Sequence, residues 1–298
     1  MTGPIPDQFT AKKQRILAAL SVPESEYFDN SPKGSVDEPI RELIDLINSY
    51  PGWCTTSSCS GRVTVFVEGP KNGSASADGL EVENGNGEDD DDSEGGTQTG
   101  TKKTSARAKK ITKAGPGGKG GGHWLFVSHS ALGDTTSTDQ LNITDLESPS
   151  TPIQGDDDPV TTRLVHLSFS PLILHVLCAS LDHARPLLAA AINAGFRESG
   201  VPSLKVLEEP EKGVMVAIRT AGLAFSTVVG EIALGRGAAE NRRVVVSEEY
   251  LRMCLRVVNE RFKANEERKR RLEQEVQKIE EQAPPGEETI DSLFDFDR

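Results

Sequence analysis

The sequence predicts an α+β fold, and two observations indicate it. Four strand-like segments follow one another without a helical pattern between them, at residues 62–67, 123–128, 163–169 and 172–178. Helical patterns lie before and after this run. Strands grouped in runs are typical of α+β domains, whereas strict alternation of strand and helix is typical of parallel α/β sheets. With 298 residues, the chain is long enough to bury a sizeable core.

The first two helices are predicted from their apolar patterns. Residues 8–20 form the first helix, and the second runs from Asp37 to Tyr50. In the second helix, apolar side chains recur at the i, i+3, i+4, i+7 spacing of a single helix face: Ile40, Leu43, Ile44 and Ile47. The following Pro-Gly pair is a strong signal for the end of the helix.

Two further helices are predicted later in the chain. One runs from Leu181 to Ala194 and ends at Gly195, which suits the C′ position. Ser247 is expected to cap a long final helix. Beyond Phe262 this helix is almost wholly charged, so that part is expected to be a solvated extension stabilised by charge pairs along the helix.

The strands are predicted from β-branched residues and from alternation. RVTVFV at 62–67 shows both features. Pro171 separates the third and fourth strands, and the fourth is apolar on both faces, as a central strand would be. Further strands are expected at 203–207, 214–219, 225–232 and 243–246.

Two long segments have the composition of disordered insertions. Residues 69–122 are an acidic block followed by a basic, Gly-rich block, and residues 134–160 are acidic and rich in Ser, Thr and Pro. Neither can bury enough apolar surface to offset the entropy lost on ordering. Together with the tail 283–298, they carry all but one of the 13 net negative charges. The remaining body is nearly neutral, so an RNA partner is not excluded.

These features predict one domain over residues 8–275, interrupted by the two insertions, and a helical extension with an acidic tail over 276–298. The four cysteines have neither the density of a disulfide framework nor the paired spacing of a zinc site. The five histidines show no ligand spacing with carboxylates, so no metal is expected. With no apolar leader or membrane span in the sequence, a cytoplasmic protein is expected.

A glycine motif at 115–120 does not predict a nucleotide site. GPGGKG formally matches G-x-G-x-x-G, but the dinucleotide motif requires a strand before it and a helix after it. Here a lysine-rich run precedes the motif and a strand follows it. A Rossmann-type cofactor site is therefore not expected.

The segment TTSSCSGR, residues 55–62, is a candidate anion site. Hydroxyl side chains that include Ser57 and Ser58, then Cys59, a glycine and Arg62 suit recognition of a carboxylate or phosphate. A Ser-rich turn that satisfies its own backbone is the structural alternative, and both stay open. Cys59 would be a nucleophile only with a base beside it in space.

Asn30 to Ile47 holds a second candidate. Asp37 as N-cap places Pro39 at N2, where the missing N–H costs nothing. Capping by Asp37 counts against its use as a base. Ser31 and Lys33 are needed by neither turn nor helix, and they lie beside a helix N-terminus that favours an anion.

Four further residues have both structural and functional interpretations. Arg197 and Ser199 follow a helix end and offer anion contacts, or they belong to a C-cap turn. His175 lies in an apolar strand, where a satisfied core histidine is the common outcome. Trp124, in a strand that His129 follows, would stack on a base or belong to the core.

Several of these motifs occur in one order along residues 10–275. They include SPKGSVD, TTSSCSGR, HWLFVSH, FSPLILHVLC, AINAGFRESG and VSEEYLRMCLRVVNERF. Together they resemble the tRNA wybutosine-synthesizing protein 3 family, the TYW3-type methyltransferases. The resemblance implies a curved, barrel-like mixed β-sheet flanked by helices, with a long C-terminal helix, and not a Rossmann-type methyltransferase fold. Ser170 departs from the family pattern, in which an acidic residue is common.

The resemblance also implies an activity and a partner. An enzyme of this family is expected to transfer methyl from S-adenosyl-L-methionine to N4 of 7-aminocarboxypropyl-demethylwyosine, beside the anticodon of tRNA-Phe. The alternative is a non-catalytic factor that binds the anticodon loop in the same pathway. Asp29 and Asp37 are candidate general bases. The expected contacts to substrate or cofactor are Ser31, Lys33, Ser57, Ser58, Cys59, Arg62, Trp124, His129, His175, Arg197 and Ser199.

Overall fold

The computed structural model describes residues 3–22, 36–69, 122–133, 141, 161–234 and 240–281. The predicted insertions and the acidic tail lie almost wholly outside these residues, as do Asp29, Ser31 and Lys33. Within the described ranges, none of the helices has the length and apolar character needed to cross a membrane.

Four α-helices form within the described residues, at or near the expected positions. Helix α1 covers Asp7–Leu20, α2 covers Arg41–Ser49 after a short 3-10 helix at Glu38–Ile40, α3 covers Leu181–Asn193 and α4 covers Glu248–Glu281. Gly195 follows α3 with φ of 101°, the left-handed conformation of a glycine C-cap. The Ser247 Oγ accepts a hydrogen bond from Tyr250 N–H at 3.2 Å, so Ser247 caps α4 as predicted.

In the part of the chain that the structure describes, eight strands form two antiparallel sheets: β1 Trp53–Cys59, β2 Arg62–Val67, β3 His123–Ser128, β4 Thr161–Ser170, β5 Ile173–Cys178, β6 Val214–Ile218, β7 Phe225–Leu234 and β8 Glu240–Val244. The three-stranded sheet has the order β1-β5-β6, and the five-stranded sheet has the order β3-β2-β4-β7-β8. Each of these strand pairs is antiparallel.

The two sheets are joined through one bent pair of long strands. β1 continues into β2 through Ser60-Gly61, and β4 continues into β5 through Pro171-Leu172, while β1 pairs with β5 and β2 with β4. Gly61 has φ of 105°, a conformation that side-chain-bearing residues rarely adopt. Pro171 has no N–H to donate to a ladder. The β1–β2 strand and the β4–β5 strand therefore bend at the same level, and the sheet curves there.

Asn265 of α4 joins the two long strands at the bend. Its Oδ1 accepts a hydrogen bond from Leu172 N–H at 2.8 Å, and its Nδ2 donates to the Ser60 carbonyl at 2.8 Å. Ser60 and Leu172 have no partner in the strand registers, and Asn265 is only 3% exposed. Buried backbone groups require partners, so this single amide supplies those that the bent ladder lacks.

Helix α4 packs along the inner face of both sheets. Its first turns lie in a buried cluster with the five-stranded sheet, which includes Leu251, Leu255, Val258, Val63, Val65, Leu167 and Phe169. Its later turns contribute Leu272 and Val276 to a second cluster with α2, α3 and the three-stranded sheet. Helix α1 covers one end of the outer face of the smaller sheet, where Phe9 packs with Cys54 and Leu177.

The predicted α+β class, the curved sheet and the long final helix are confirmed. Strand direction is corrected, because the pairs are antiparallel and not mixed. The segment 203–207 forms a 3-10 helix, Leu204–Leu207, and not a strand. The solvated extension is also corrected, since Leu272 and Val276 are fully buried. The division into 8–275 and 276–298 stays a prediction, and α4 runs across it without interruption.

Replacing Asn265 by leucine tests how much its two hydrogen bonds stabilise the bend. Asn265→Leu keeps the side-chain size but leaves Leu172 N–H and the Ser60 carbonyl without partners, so we expect the free energy of unfolding to fall by about 2–4 kcal/mol. The matched control is Asn259→Leu on the same helix, because the Asn259 amide makes the same pair of hydrogen bonds, to the backbone of the partly exposed Leu132. Urea denaturation measures the free energy of unfolding of both variants. Equal losses would contradict the role assigned to Asn265.

Candidate functional site at the bend of the sheet

The face of the bent sheet opposite α4 carries polar side chains. In β5, Leu174 and Val176 face the core, so the alternate residue His175 faces the other way. In β2, Val63 and Val65 face the core, so Arg62 faces the opposite side. Ser57 lies opposite His175 in the register, and Cys59 lies opposite Ile173. This outer face, with Ser57, Cys59, Arg62 and His175, is the candidate site.

Asp37 is the centre of a cluster at one edge of the outer face. Its Oδ2 accepts hydrogen bonds from Ser60 N–H at 2.9 Å and from the Ser60 hydroxyl at 3.2 Å. Its Oδ1 lies 3.5 Å from Nε2 of His129. Asp37 is 5% exposed, so a buried carboxylate joins the loop before α2, the bend and the residue after β3.

The predicted use of the Asp37 side chain as a helix cap is wrong. Asp37 does occupy the N-cap position of the 3-10 helix Glu38–Ile40, but its side chain makes no capping hydrogen bond. The carboxylate bonds to Ser60 instead. Helix capping therefore does not occupy the Asp37 carboxylate.

The Cys59 side chain is a thiol and not a thiolate at neutral pH. Burial raises the pKa of Cys59, and the negative charge of Asp37 and a hydrogen bond to it raise that pKa further, against the opposing effects of Gly61 N–H and Arg62. The thiolate is the nucleophilic form. The environment of Cys59 therefore does not favour nucleophilic catalysis.

Asp37, Cys59 and His129 are also of metal-ligating types. Their ligand atoms lie within 4.8 Å of one another. Spacing along the sequence could not reveal this group, because its three members come from distant segments. The hydrogen bonds to Asp37 and the contact with His129 already account for the arrangement. The absence of a metal stays a prediction.

Arg62 and Trp124 form the next part of the outer face. The guanidinium carbon of Arg62 lies 4.7 Å from the centre of the Trp124 ring, a cation–π contact. Trp124 is half-buried, so the interpretation of a core tryptophan is wrong. Both side chains remain accessible to a planar or anionic group.

Ser57 and His175 lie on the three-stranded part of the outer face. Ser57 Oγ and His175 Nδ1 are 2.8 Å apart. Burial lowers the pKa of His175, and the positive charge of Arg219 lowers it further, so the imidazole is neutral at neutral pH. His175 is half-buried and belongs to the site and not to the core.

Other predicted residues are not brought to the outer face. Ser58 lies opposite Leu174, whose side chain faces the core, so the register places Ser58 on the core side. Ser199 Oγ accepts a hydrogen bond from Arg219 N–H at 3.1 Å and donates to the Arg219 carbonyl at 3.4 Å. Ser199 thus fixes the loop after α3, as its structural interpretation has it. Arg197 is exposed.

Sequence reasoning missed the strand β1 and the residues Ser60 and Asn265. TTSSC was interpreted as a turn or a site, because hydroxyl residues are poor indicators of a strand. Asn265 lies in a charged stretch of α4, and nothing in its local pattern marks it as buried. A contact between residues 60 and 265 becomes visible only when the chain is folded.

The sequence matches known proteins over most of its length. Residues 11–278 match the family model described as Methyltransferase TYW3. The tRNA wybutosine-synthesizing protein 3 of Schizosaccharomyces pombe is 31% identical over 97% of this chain and 94% of its own length. The Saccharomyces cerevisiae protein of the same description is 33% identical over 65% of this chain and 58% of its own length. In Arabidopsis thaliana, tRNA wybutosine-synthesizing protein 2/3/4 is 32% identical, and the match covers 20% of that longer chain.

The fold is also found among solved structures. The PH1069 protein from Pyrococcus horikoshii superimposes with a TM-score of 0.55 over 90% of this chain and 95% of its own, at 22% sequence identity. That likeness concerns the fold alone. The family match and the fission yeast relative each span most of the sequence, and on that evidence the chain belongs to the TYW3 methyltransferase family of tRNA wybutosine-synthesizing proteins.

Proposed function

We propose that this protein is a cytoplasmic S-adenosyl-L-methionine-dependent tRNA methyltransferase. Its substrate is N4 of 7-aminocarboxypropyl-demethylwyosine beside the anticodon of tRNA-Phe, and its product is 7-aminocarboxypropylwyosine. Family membership supports methyl transfer in wybutosine synthesis. The observation that carries the assignment of the site is that Asp37, Cys59 and His129, from three distant segments, meet at the bend beside Arg62 and Trp124.

The outer face fits the groups that such a reaction must bind. Arg62 offers a guanidinium for a carboxylate of the cofactor or of the aminocarboxypropyl arm. The Trp124 ring offers a stacking surface for a base. Ser57 offers a hydroxyl that is exposed and held by His175. S-adenosyl-L-methionine, when bound, supplies the methyl group, and positioning by these side chains provides much of the catalysis.

The Asp37–His129 pair is proposed to take up the proton released when N4 is methylated. Oδ2 of Asp37 is occupied by two hydrogen bonds from Ser60, which fix the orientation of the carboxylate. Its Oδ1 faces His129. A carboxylate that orients a histidine ring is a common arrangement for proton transfer, because it selects the tautomer. Asp29 stays a candidate that lies outside the described residues.

A transfer assay distinguishes this function from its alternatives. Purified protein is incubated with methyl-labelled S-adenosyl-L-methionine and tRNA-Phe that carries the intermediate, and the digested nucleosides are analysed. We expect label in the modified base, and none with tRNA-Phe that lacks the intermediate. Binding of tRNA without label would support a non-catalytic factor. Equal transfer to the free modified base would indicate a small-molecule methyltransferase.

Replacing His129 tests the proposed proton acceptor. General-base catalysis contributes about 10²–10⁴-fold, so His129→Gln is expected to lower kcat by at least about 10²-fold and to abolish the acidic limb of the pH–rate profile. The matched control is His166→Gln, since His166 also faces a carboxylate, Glu68 at 2.8 Å, elsewhere on the sheet. An unchanged pH profile in His129→Gln would rule out the role.

Alkylation tests the state of Cys59. Because burial and Asp37 raise the pKa of the thiol, iodoacetamide at pH 8 should modify Cys59 more slowly in the folded protein than in the urea-unfolded protein. The rate should increase with pH through a value above that of an ordinary cysteine. Peptide mapping by mass spectrometry measures it. Rapid labelling at pH 7, together with loss of transfer in Cys59→Ser, would instead indicate a nucleophile.

A further inference from the structure

Arg268 of α4 is held between the loops that follow α3 and β6. Its Nη1 donates a hydrogen bond to Thr220 Oγ1 at 2.7 Å. A Cβ added to Gly195 would lie 3.4 Å from Nε, and one added to Gly222 would lie 3.9 Å from Nη2. The loops after α3 and β6 therefore approach the guanidinium closely, and the absence of side chains there leaves room around it.

Other arginines surround Arg268. Burial lowers the pKa of Arg268, and the positive charges of Arg271, Arg197 and Arg261 lower it further, with Glu198 acting in the opposite direction. We call these four residues, Arg197, Arg261, Arg268 and Arg271, the arginine surface. Like charges close together repel one another, so the bare arrangement is unfavourable unless an anion offsets it.

Arg261 lies one further stretch along the same face of α4, seven residues before Arg268. Its Nε is buried and has no hydrogen-bond partner among the described residues. Glu198, the carboxylate that opposes the cluster, is itself engaged, because it accepts a hydrogen bond from Ala221 N–H at 3.2 Å.

The arginine surface adjoins the candidate site. Arg219 follows β6 and donates from Nε to the Glu198 carbonyl at 3.2 Å, and its charge acts on His175 of the outer face. Thr220, the next residue, holds Arg268. A ligand on the outer face can thus pass Arg219 at the β6 edge of the sheet and reach the arginine surface on α4.

We propose that the arginine surface binds the phosphate backbone of the tRNA whose modified base lies at the outer face. This proposal rests on the proposed function. Arg261, Arg268 and Arg271 extend over ten residues of α4, about 15 Å at 1.5 Å per residue. One small carboxylate would use a single guanidinium, whereas a chain of phosphates matches a row of cations. Exposure of Arg197 and Arg271 leaves both accessible to such a chain.

The test uses the two exposed arginines, so that folding is preserved. Arg197→Gln/Arg271→Gln is compared with the control Arg252→Gln/Arg256→Gln, which removes the same charge from exposed positions nearer the start of α4. The probe is an unmodified tRNA-Phe transcript, and binding to the full chain is followed by fluorescence anisotropy across a salt series.

We expect the first variant to lose affinity by roughly fivefold to tenfold for each contact at about 0.1 M salt, and its salt slope to fall by about two. The control variant should keep the RNA affinity and the salt slope of the wild-type protein. Equal losses in the two variants, or unchanged RNA affinity, would overturn the proposal. A raised KM for S-adenosyl-L-methionine with unchanged RNA affinity would assign the surface to a carboxylate and overturn it as well.

The outcome is independent of the transfer assay. The transcript lacks the modified base, so binding is measured without any chemistry. If the wild-type protein transfers no methyl group but the first variant still loses RNA affinity, the proposed activity fails and the binding surface stands. If the wild-type protein transfers methyl but the first variant keeps its RNA affinity, the proposed activity stands and the binding surface fails.

Discussion

The structure depends on how one asparagine satisfies a bent β-ladder. A strand pair that bends sharply loses backbone hydrogen bonds at the bend, and buried groups without partners are costly. Asn265 supplies both an acceptor and a donor there, for Leu172 and Ser60. Because Asn265 belongs to α4, the same contact fixes the position of the long helix relative to both sheets. The two core clusters on either side of it are then parts of one unit along α4.

The bend also creates the candidate site. On the core side, the Ser60 carbonyl accepts a hydrogen bond from Asn265. The N–H and hydroxyl of Ser60 donate hydrogen bonds to Asp37. A single residue thereby connects the interior support of the bend with the buried carboxylate of the site. His129 and Cys59 meet Asp37 because β3 and β1 both end at this level. The cluster and the bend are therefore linked, since both use hydrogen bonds to the backbone of Ser60.

Sequence patterns predicted most elements and only part of the site. The helices and the strands β2 to β5 follow from apolar periodicity and end signals, because those patterns report which face is buried. β1 was missed because its hydroxyl residues resemble a turn, and β5 alone supplies the ladder that makes it a strand. Arg62, Trp124 and His175, predicted from residue type, lie together on the outer face. Ser58 and Ser199 have the same types but serve the core side and a loop, which only register and contacts reveal.

The sequence by itself determined the fold class, the positions of the long helices and the family resemblance, since these depend on local periodicity and on motifs in order. The tertiary structure decided which motifs share a site. Asp37 looked like a helix cap because capping is a local signal, yet its carboxylate bonds to Ser60, 23 residues away. The charged half of α4 looked solvated because apolar residues are few there, yet Asn265, Leu272 and Val276 are buried. Burial depends on contacts with residues that are distant in the sequence, and local composition does not show which residues those are.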